Sequence, residues 1–188
     1  MRTHRQLVVY QSILQVLHEH GCPFCKFLKE YQAGRLQRRL ESETHHLCNF
    51  HAWGLAAVQD APVAARAFIQ ILNEGEPIAN GSQTCDVCNE VMAEEDLRIR
   101  EFATCLHRPD MADWLRTEAV LCIPHATKLR RQVPPILASR IDAIVQNCRQ
   151  QLKEELDQLR NEPGMERSEW GALGRAAEFL VSQRGLRV

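Results

Sequence analysis

The sequence predicts an all-α fold built from two tandem, quasi-equivalent helical modules. Three observations support this prediction: apolar residues recur three or four positions apart, alternating strand patterns are scarce, and one pair of cysteine motifs occurs twice in the same order. The chain has 188 residues, of which 45% are hydrophobic and 25% are charged. This is an ordinary composition for a globular protein with enough chain for one large domain or two small ones.

Helical periodicity predicts most of the elements. The longest helix is predicted from about Ile136 to Arg160, where an apolar stripe suits packing on another helix. Cys148 lies on this stripe and is predicted to pack as a small hydrophobic residue. A second helix is predicted to begin at Pro62, because proline is favoured in a first turn, and to run through Leu72. Others are predicted before Gly21, after Cys25, and at residues 168–185.

Six of the eight cysteines lie in two kinds of motif. The CxxC pairs are Cys22/Cys25 and Cys85/Cys88, and the CxxH pairs are Cys48/His51 and Cys122/His125. The N-terminus does not resemble a signal peptide, so metal binding or redox chemistry is a better explanation of these cysteines than a disulfide framework.

The order CxxC, CxxH, CxxC, CxxH indicates an internal duplication. A shift of 63 positions superimposes the two CxxC motifs, and a shift of 74 superimposes the two CxxH motifs with several flanking apolar residues. The shifts differ by 11, which we assign to an insertion at Leu106–Arg116. The predicted domains are a first repeat at 1–74 with an N-terminal helix, a linker at 75–84 rich in Gly, Pro and Asn, and a second repeat at 85–188 with the long and C-terminal helices.

Each repeat holds a set of ligands suited to one metal ion, so each module is predicted to be organised by a Cys3His site. Zinc prefers tetrahedral sites of thiolate and imidazole, and four protein ligands usually close a structural site. The simplest pairing joins Cys22, Cys25, Cys48 and His51 on one ion, and Cys85, Cys88, Cys122 and His125 on the other. Exchange of ligands between the repeats is also compatible with the sequence. Two Zn²⁺ ions are the predicted cofactors, with iron–sulfur clusters as the alternative because thiolates and histidine also hold these.

A redox function competes at the first motif. The segment Gly21–Cys25 is similar to the active-site turn of glutaredoxins, in which one cysteine is a low-pKa nucleophile. That fold needs a βαβ frame, whereas the preceding stretch is predicted to be helical, and Cys85–Cys88 lacks the proline. No other arrangement of catalytic residues is visible, so no catalytic residue is assigned and a non-enzymatic role is favoured.

Charge and hydropathy restrict the partners. The formal net charge of −1 gives no global field that would attract nucleic acid, and no apolar run approaches the roughly 20 residues of a membrane span. Trp53, Trp114 and Trp170 are predicted to lie in the core and not to form a platform for stacking bases. We expect a cytoplasmic protein that binds a protein partner and does not enter a membrane.

Four segments carry a resemblance to a known family: Cys22–Cys25, Leu47–Trp53, Cys85–Cys88 and Leu121–His125. Together they resemble a family of uncharacterised prokaryotic proteins with duplicated Cys-Pro-x-Cys and Leu-Cys-x-x-His modules on helices. The ending 170–185 also resembles the last helix of that family, whereas Asp86 stands where the family has proline. The resemblance implies metal-binding cysteines and histidines and implies no particular activity.

These observations lead to one main hypothesis: a non-enzymatic, zinc-binding helical protein that acts as a binding, adaptor or regulatory module. The alternative is an iron–sulfur or thiol-based redox protein that acts in electron transfer or sensing. A third hypothesis is an enzyme with its substrate in the groove between the repeats, for which the sequence shows no arrangement of catalytic residues.

Overall fold

A computed structural model describes residues 10–11, 17, 21–39, 47–57, 61–74, 85–117, 119–161 and 171–182. The predicted all-α class is confirmed, since helices account for most of these residues and no strand occurs among them. No helix in this part of the chain is long and apolar enough to cross a membrane.

Eight helices are described. They are α1 (Pro23–Arg39), α2 (Asn49–Ala56), α3 (Ala61–Glu74), α4 (Asp86–Cys105), α5 (Pro109–Thr117), α6 (Ile123–Arg130), α7 (Pro135–Asn161) and α8 (Gly171–Val181). The predicted long helix and the predicted helix at Pro62 correspond to α7 and α3. The predicted 75–84 linker lies outside the described residues.

The insertion in the second repeat coincides with an additional helix. Helix α4 ends at Cys105, a short turn follows, and α5 begins at Pro109, which suits a first helical turn. The buried residues Met111, Trp114 and Leu115 anchor α5 in the core. The 11 additional residues at Leu106–Arg116 therefore lengthen the connection between the second CxxC and CxxH motifs by one packed helix.

One compact unit comprises Met1–Phe27 and Leu97–Leu186. Within it, α6 packs on both α7 and α8, and α7 also contacts α5 and α8. The largest fully buried side chains are Leu106, Met111, Leu121, Leu129 and Ile141. Burial of apolar side chains of this size, at roughly 1.5–3 kcal/mol each, stabilises the helix pairs.

The other compact unit is made mainly of Leu28–Asp96. Helix α2 packs on α3 there, and the apolar core includes Leu28, Leu55, Val87 and Val91. Arg35 and Glu90 form an ion pair between the C-terminal part of α1 and the N-terminal part of α4. Gly54 allows a close helix approach, because a Cβ at this position would lie 3.2 Å from Leu36 Cδ1.

Candidate metal centres

The structure gathers the eight motif residues into two buried groups of four. Site 1 consists of Cys22, Cys25, Cys122 and His125, and site 2 consists of Cys48, His51, Cys85 and Cys88. The simplest pairing inferred from the sequence is therefore wrong, because each CxxC motif lies with the CxxH motif of the other repeat. Each site is contained within one compact unit: site 1 in the first, and site 2 in Leu28–Asp96.

The two CxxH motifs have the same local structure. Cys48 precedes α2 with φ −79° and ψ 164°, and Cys122 precedes α6 with φ −72° and ψ 154°. Each cysteine carbonyl accepts a 2.9 Å hydrogen bond from the backbone N–H four residues later, at Ala52 and Ala126. The first helical turn then brings the histidine, three residues on, to the same side as the cysteine.

The CxxC motifs also stand at helix starts. The carbonyl of Cys22 accepts a hydrogen bond from the Lys26 N–H at the start of α1, and that of Cys85 does so from Asn89 at the start of α4. Each site is therefore approached by the N-termini of two helices. Three thiolates and a neutral imidazole around a divalent cation leave one net negative charge, which the positive ends of two helix dipoles stabilise.

In site 1, His125 Nδ1 lies close to all three sulfurs. It is 3.6 Å from Cys22 Sγ, 3.4 Å from Cys25 Sγ and 2.9 Å from Cys122 Sγ. The sulfurs of Cys25 and Cys122 are 3.7 Å apart. This separation is far beyond the roughly 2.05 Å of a disulfide, so the cysteines are free thiols.

In site 2, His51 Nδ1 has the same role. It lies 3.4 Å from Cys48 Sγ and 3.3 Å from both Cys85 Sγ and Cys88 Sγ. The sulfurs of Cys48 and Cys88 are 3.6 Å apart. The two sites therefore have the same types of ligand, three cysteines and one histidine. In both sites the histidine faces the sulfurs through Nδ1, and the distances between ligand atoms are similar.

These spacings fit a single tetrahedral ion. Bonds of about 2.3 Å from zinc to sulfur and about 2.0–2.1 Å to nitrogen imply S···S edges of about 3.8 Å and S···N edges of about 3.6 Å. The Cys122 Sγ to His125 Nδ1 distance of 2.9 Å is about 0.7 Å shorter than such an edge, and the other separations given above lie within about 0.3 Å of these values. The ligand atoms of each site all lie within 4.8 Å of one another. An iron–sulfur cluster places several irons and sulfides between its ligands, so some ligand pairs must be farther apart than one tetrahedral edge.

The thiols of each site differ in acidity. Burial disfavours the Cys22 thiolate, but hydrogen bonds from Cys122, Cys25 and His125 outweigh it and hold the pKa of Cys22 well below its ordinary value. The hydrogen bonds that Cys122 makes with Cys22 and Cys25, together with burial, raise the pKa of Cys122.

Site 2 shows the same division. Burial disfavours the Cys48 thiolate, but hydrogen bonds from the His51 backbone N–H and from Cys88 outweigh it and lower the pKa of Cys48. Burial and the hydrogen bond to Cys48 raise the pKa of Cys88 to about 12. Each site therefore has one thiol that ionises readily and one that holds its proton, so a cation bound by all its thiolates would displace protons.

Aromatic rings support site 1 from one side. The Phe24 ring stacks on the His125 ring with centroids 5.4 Å apart, and it contacts the Phe102 ring at 4.8 Å. The ring of Trp114 meets Phe102 edge-on at 5.6 Å. These contacts fix the orientation of His125, and they confirm the prediction that Trp114 belongs to the core.

A cavity of about 240 Å³ lies against site 1. Cys22, Cys25 and Cys122 line it together with Cys148 from α7, which is half-buried. Burial raises the pKa of Cys148, although a hydrogen bond from the Leu121 backbone opposes this effect. The sequence places Cys148 on an apolar stripe and predicts only a packing role. The sequence did not predict its position beside the ligands of site 1.

Trp53 corrects another prediction. It was predicted to belong to the core, but its side chain on α2 is 72% exposed. Its position two residues after His51 fixes it on the short helix that follows Cys48 and carries His51, with the indole directed to solvent. Trp170, predicted in the same way, lies outside the described residues.

No protein family, no curated protein and no solved structure matches this chain. The family resemblance therefore stays a prediction, and the function has to be argued from the two sites themselves.

Proposed function

We propose that the chain binds two zinc ions, one at each site, and that these ions organise the two helical units of a non-enzymatic binding or regulatory protein in the cytoplasm. The observation that carries the proposal is the presence of two buried Cys3His groups in which most of the ligand separations described above lie close to the edges of a zinc tetrahedron. All four ligand positions at each site come from the protein, which is typical of structural zinc and leaves no position for a substrate.

Metal analysis tests this proposal directly. Protein prepared anaerobically and without chelators is expected to be colourless and to contain two zinc ions per chain, because each ligand set is complete. Replacement with Co²⁺ is expected to give the intense visible bands and sulfur-to-metal charge transfer of tetrahedral thiolate sites. Cys105→Ser is the matched control, since Cys105 belongs to neither site, and it is expected to keep both ions.

The competing redox function makes a different prediction for the same sample. A brown protein that contains iron and acid-labile sulfide would replace zinc with iron–sulfur chemistry. One metal ion per chain, or none, would contradict the two-site proposal.

The binding role is supported by the surface of α2. Exposed tryptophans are frequent energetic centres of protein interfaces, and Trp53 is largely exposed on the helix that site 2 holds in place. We therefore propose that site 2 presents Trp53 to a protein partner. The formal net charge of −1 provides no support for a nucleic acid in this role.

Trp53→Ala tests the partner separately from the metal. We expect two bound zinc ions and an unchanged melting temperature, because the side chain is mostly solvated, together with the loss of a protein that co-purifies with the wild-type chain from its native cells. Ile136→Ala, which removes another exposed apolar side chain (70% exposed) from a different helix, is the control. An unchanged set of co-purifying proteins for Trp53→Ala would refute this surface.

A further inference from the structure

The cavity beside site 1, called here the site 1 cavity, reaches ligands that a closed structural site normally shields. Three of the four ligands of site 1 line it, and its volume of about 240 Å³ has room for several water molecules at about 30 Å³ each. The cavity therefore offers water and small ions a route to the sulfurs of site 1.

Helix α7 forms one wall of the site 1 cavity, and side chains with possible metal-binding atoms follow one another along this wall. Cys148, Gln151 and Glu155 lie three and seven residues apart, so they share one helix face and extend over about 10 Å along the axis. Cys148 is half-buried, and the Glu155 side chain is 41% exposed and forms an ion pair with Arg175, which also lines the cavity. Glu178 adds a second carboxylate from α8. The donors thus change from thiol to carboxylate along the helix.

Cys148 also lies near the start of α6. It is close to the backbone of Leu121, the residue that directly precedes the ligand Cys122. A fourth thiol of this region therefore lies beside the start of α6 without being part of the tetrahedral group.

We propose that the site 1 cavity is the route by which a soft divalent cation, Zn²⁺ in the simplest case, reaches and leaves site 1, with Cys148 as a transient ligand during the exchange. The inference rests on the proposed function, because it requires a metal ion at site 1. The step is a ligand substitution: the Cys148 sulfur bonds to the metal as one site thiolate leaves, and the Cys148 proton passes to the leaving sulfur. The metal stays divalent, and no sulfur is oxidised.

The fourth thiol gives the exchange of the metal ion a lower barrier than dissociation alone. A ligand that leaves a closed tetrahedron without replacement exposes a three-coordinate ion in a buried site, which is costly. A sulfur already at the edge of the site keeps the ion four-coordinate during the transfer. Glu178, and Glu155 once its ion pair with Arg175 opens, can then receive the ion as its water shell returns.

The test follows metal loss from each site of the full-length, zinc-loaded chain. Protein is mixed with excess EDTA, and samples taken at intervals receive a short pulse of iodoacetamide before peptide mass spectrometry. Cys22, Cys25 and Cys122 are expected to become alkylated roughly tenfold faster than Cys48, Cys85 and Cys88, a difference of the size that outer groups commonly produce at metal sites. Equal rates, or faster loss from site 2, would overturn the proposal.

Two variants isolate the route. Cys148→Ser keeps the size of the side chain and removes the transient ligand, so it is expected to slow zinc loss from site 1 by roughly tenfold while the zinc content stays at two. Cys105→Ser, the other non-ligand cysteine, is expected to change neither rate. Leu152→Phe narrows the site 1 cavity and keeps Cys148, and it is expected to slow zinc loss from site 1. This variant tests the route if Cys148→Ser does not fold.

The outcomes separate this inference from the proposed function. A chain that holds no zinc at site 1 refutes both. A chain that holds two zinc ions but loses them from site 1 at the wild-type rate in Cys148→Ser and Leu152→Phe refutes only the route.

Discussion

Replacing Cys48 by serine is expected to expose Cys85 and Cys88 to rapid alkylation while Cys22 and Cys25 stay protected. The reason is that Cys48 shares site 2 with the CxxC motif of the second repeat. Structural zinc contributes apparent binding free energies of about 10–16 kcal/mol in small peptides, and whole domains are stable by only about 5–15 kcal/mol. Loss of one thiolate should therefore remove the ion and unfold much of the region 28–96.

Cys122→Ser provides the reciprocal experiment. It is expected to expose Cys22 and Cys25 and to leave Cys85 and Cys88 protected, because Cys122 belongs to site 1. Circular dichroism of each variant should show partial loss of helix, and metal analysis should show one zinc. If Cys48→Ser instead exposed Cys22 and Cys25, the ligands would be paired within each repeat. This result would refute the pairing of each CxxC motif with the CxxH motif of the other repeat.

Separate expression of 1–74 and 75–188 is expected to give two fragments with little stable helix and weak zinc binding. Each fragment contains one CxxC and one CxxH motif, and therefore three cysteines and a histidine. In the folded chain, however, each site takes its two motifs from different fragments, so neither fragment contains a complete site. Mixing the fragments with zinc is expected to restore helicity and two ions per pair, since binding then drives association.

The control is a 1–74 fragment with Cys48→Ser, which should restore only site 1 and one zinc ion per pair. A 1–74 fragment that folds cooperatively around its own zinc ion would contradict the exchanged pairing, because Cys22, Cys25, Cys48 and His51 would then suffice by themselves.

The helices and the ligand residues could be predicted because both depend on local patterns. The apolar repeat at Ile136–Arg160 predicts α7 to within one residue at each end, and Pro62 lies in the first turn of α3. The pairing could not be predicted, because the two CxxC motifs have the same spacing, as do the two CxxH motifs. The choice depends on tertiary contacts such as Phe24 against His125 and Phe102, which leave no periodic signal.

The exposure of Trp53 and the position of Cys148 were missed for a related reason. Helix α2 has eight residues, too few for periodicity to distinguish a buried face from an exposed one. Cys148 continues a stripe that includes the buried Ile141 and Ile144, but only the packing of α8 and site 1 around α7 determines that a cavity opens beside it.

The exchanged pairing also fixes the order in which the sites can be completed during synthesis. The ligands of site 2 lie between those of site 1 along the chain. Cys48 and Cys88 are 40 positions apart, whereas Cys22 and His125 are 103 positions apart. A ribosome that adds about 5–20 residues per second leaves Cys22 without His125 for roughly 5–20 s. All four ligands of site 2 have thus been synthesised while the first CxxC pair on the nascent chain still lacks the other two ligands of site 1. During this interval its thiols are open to oxidants and competing metals.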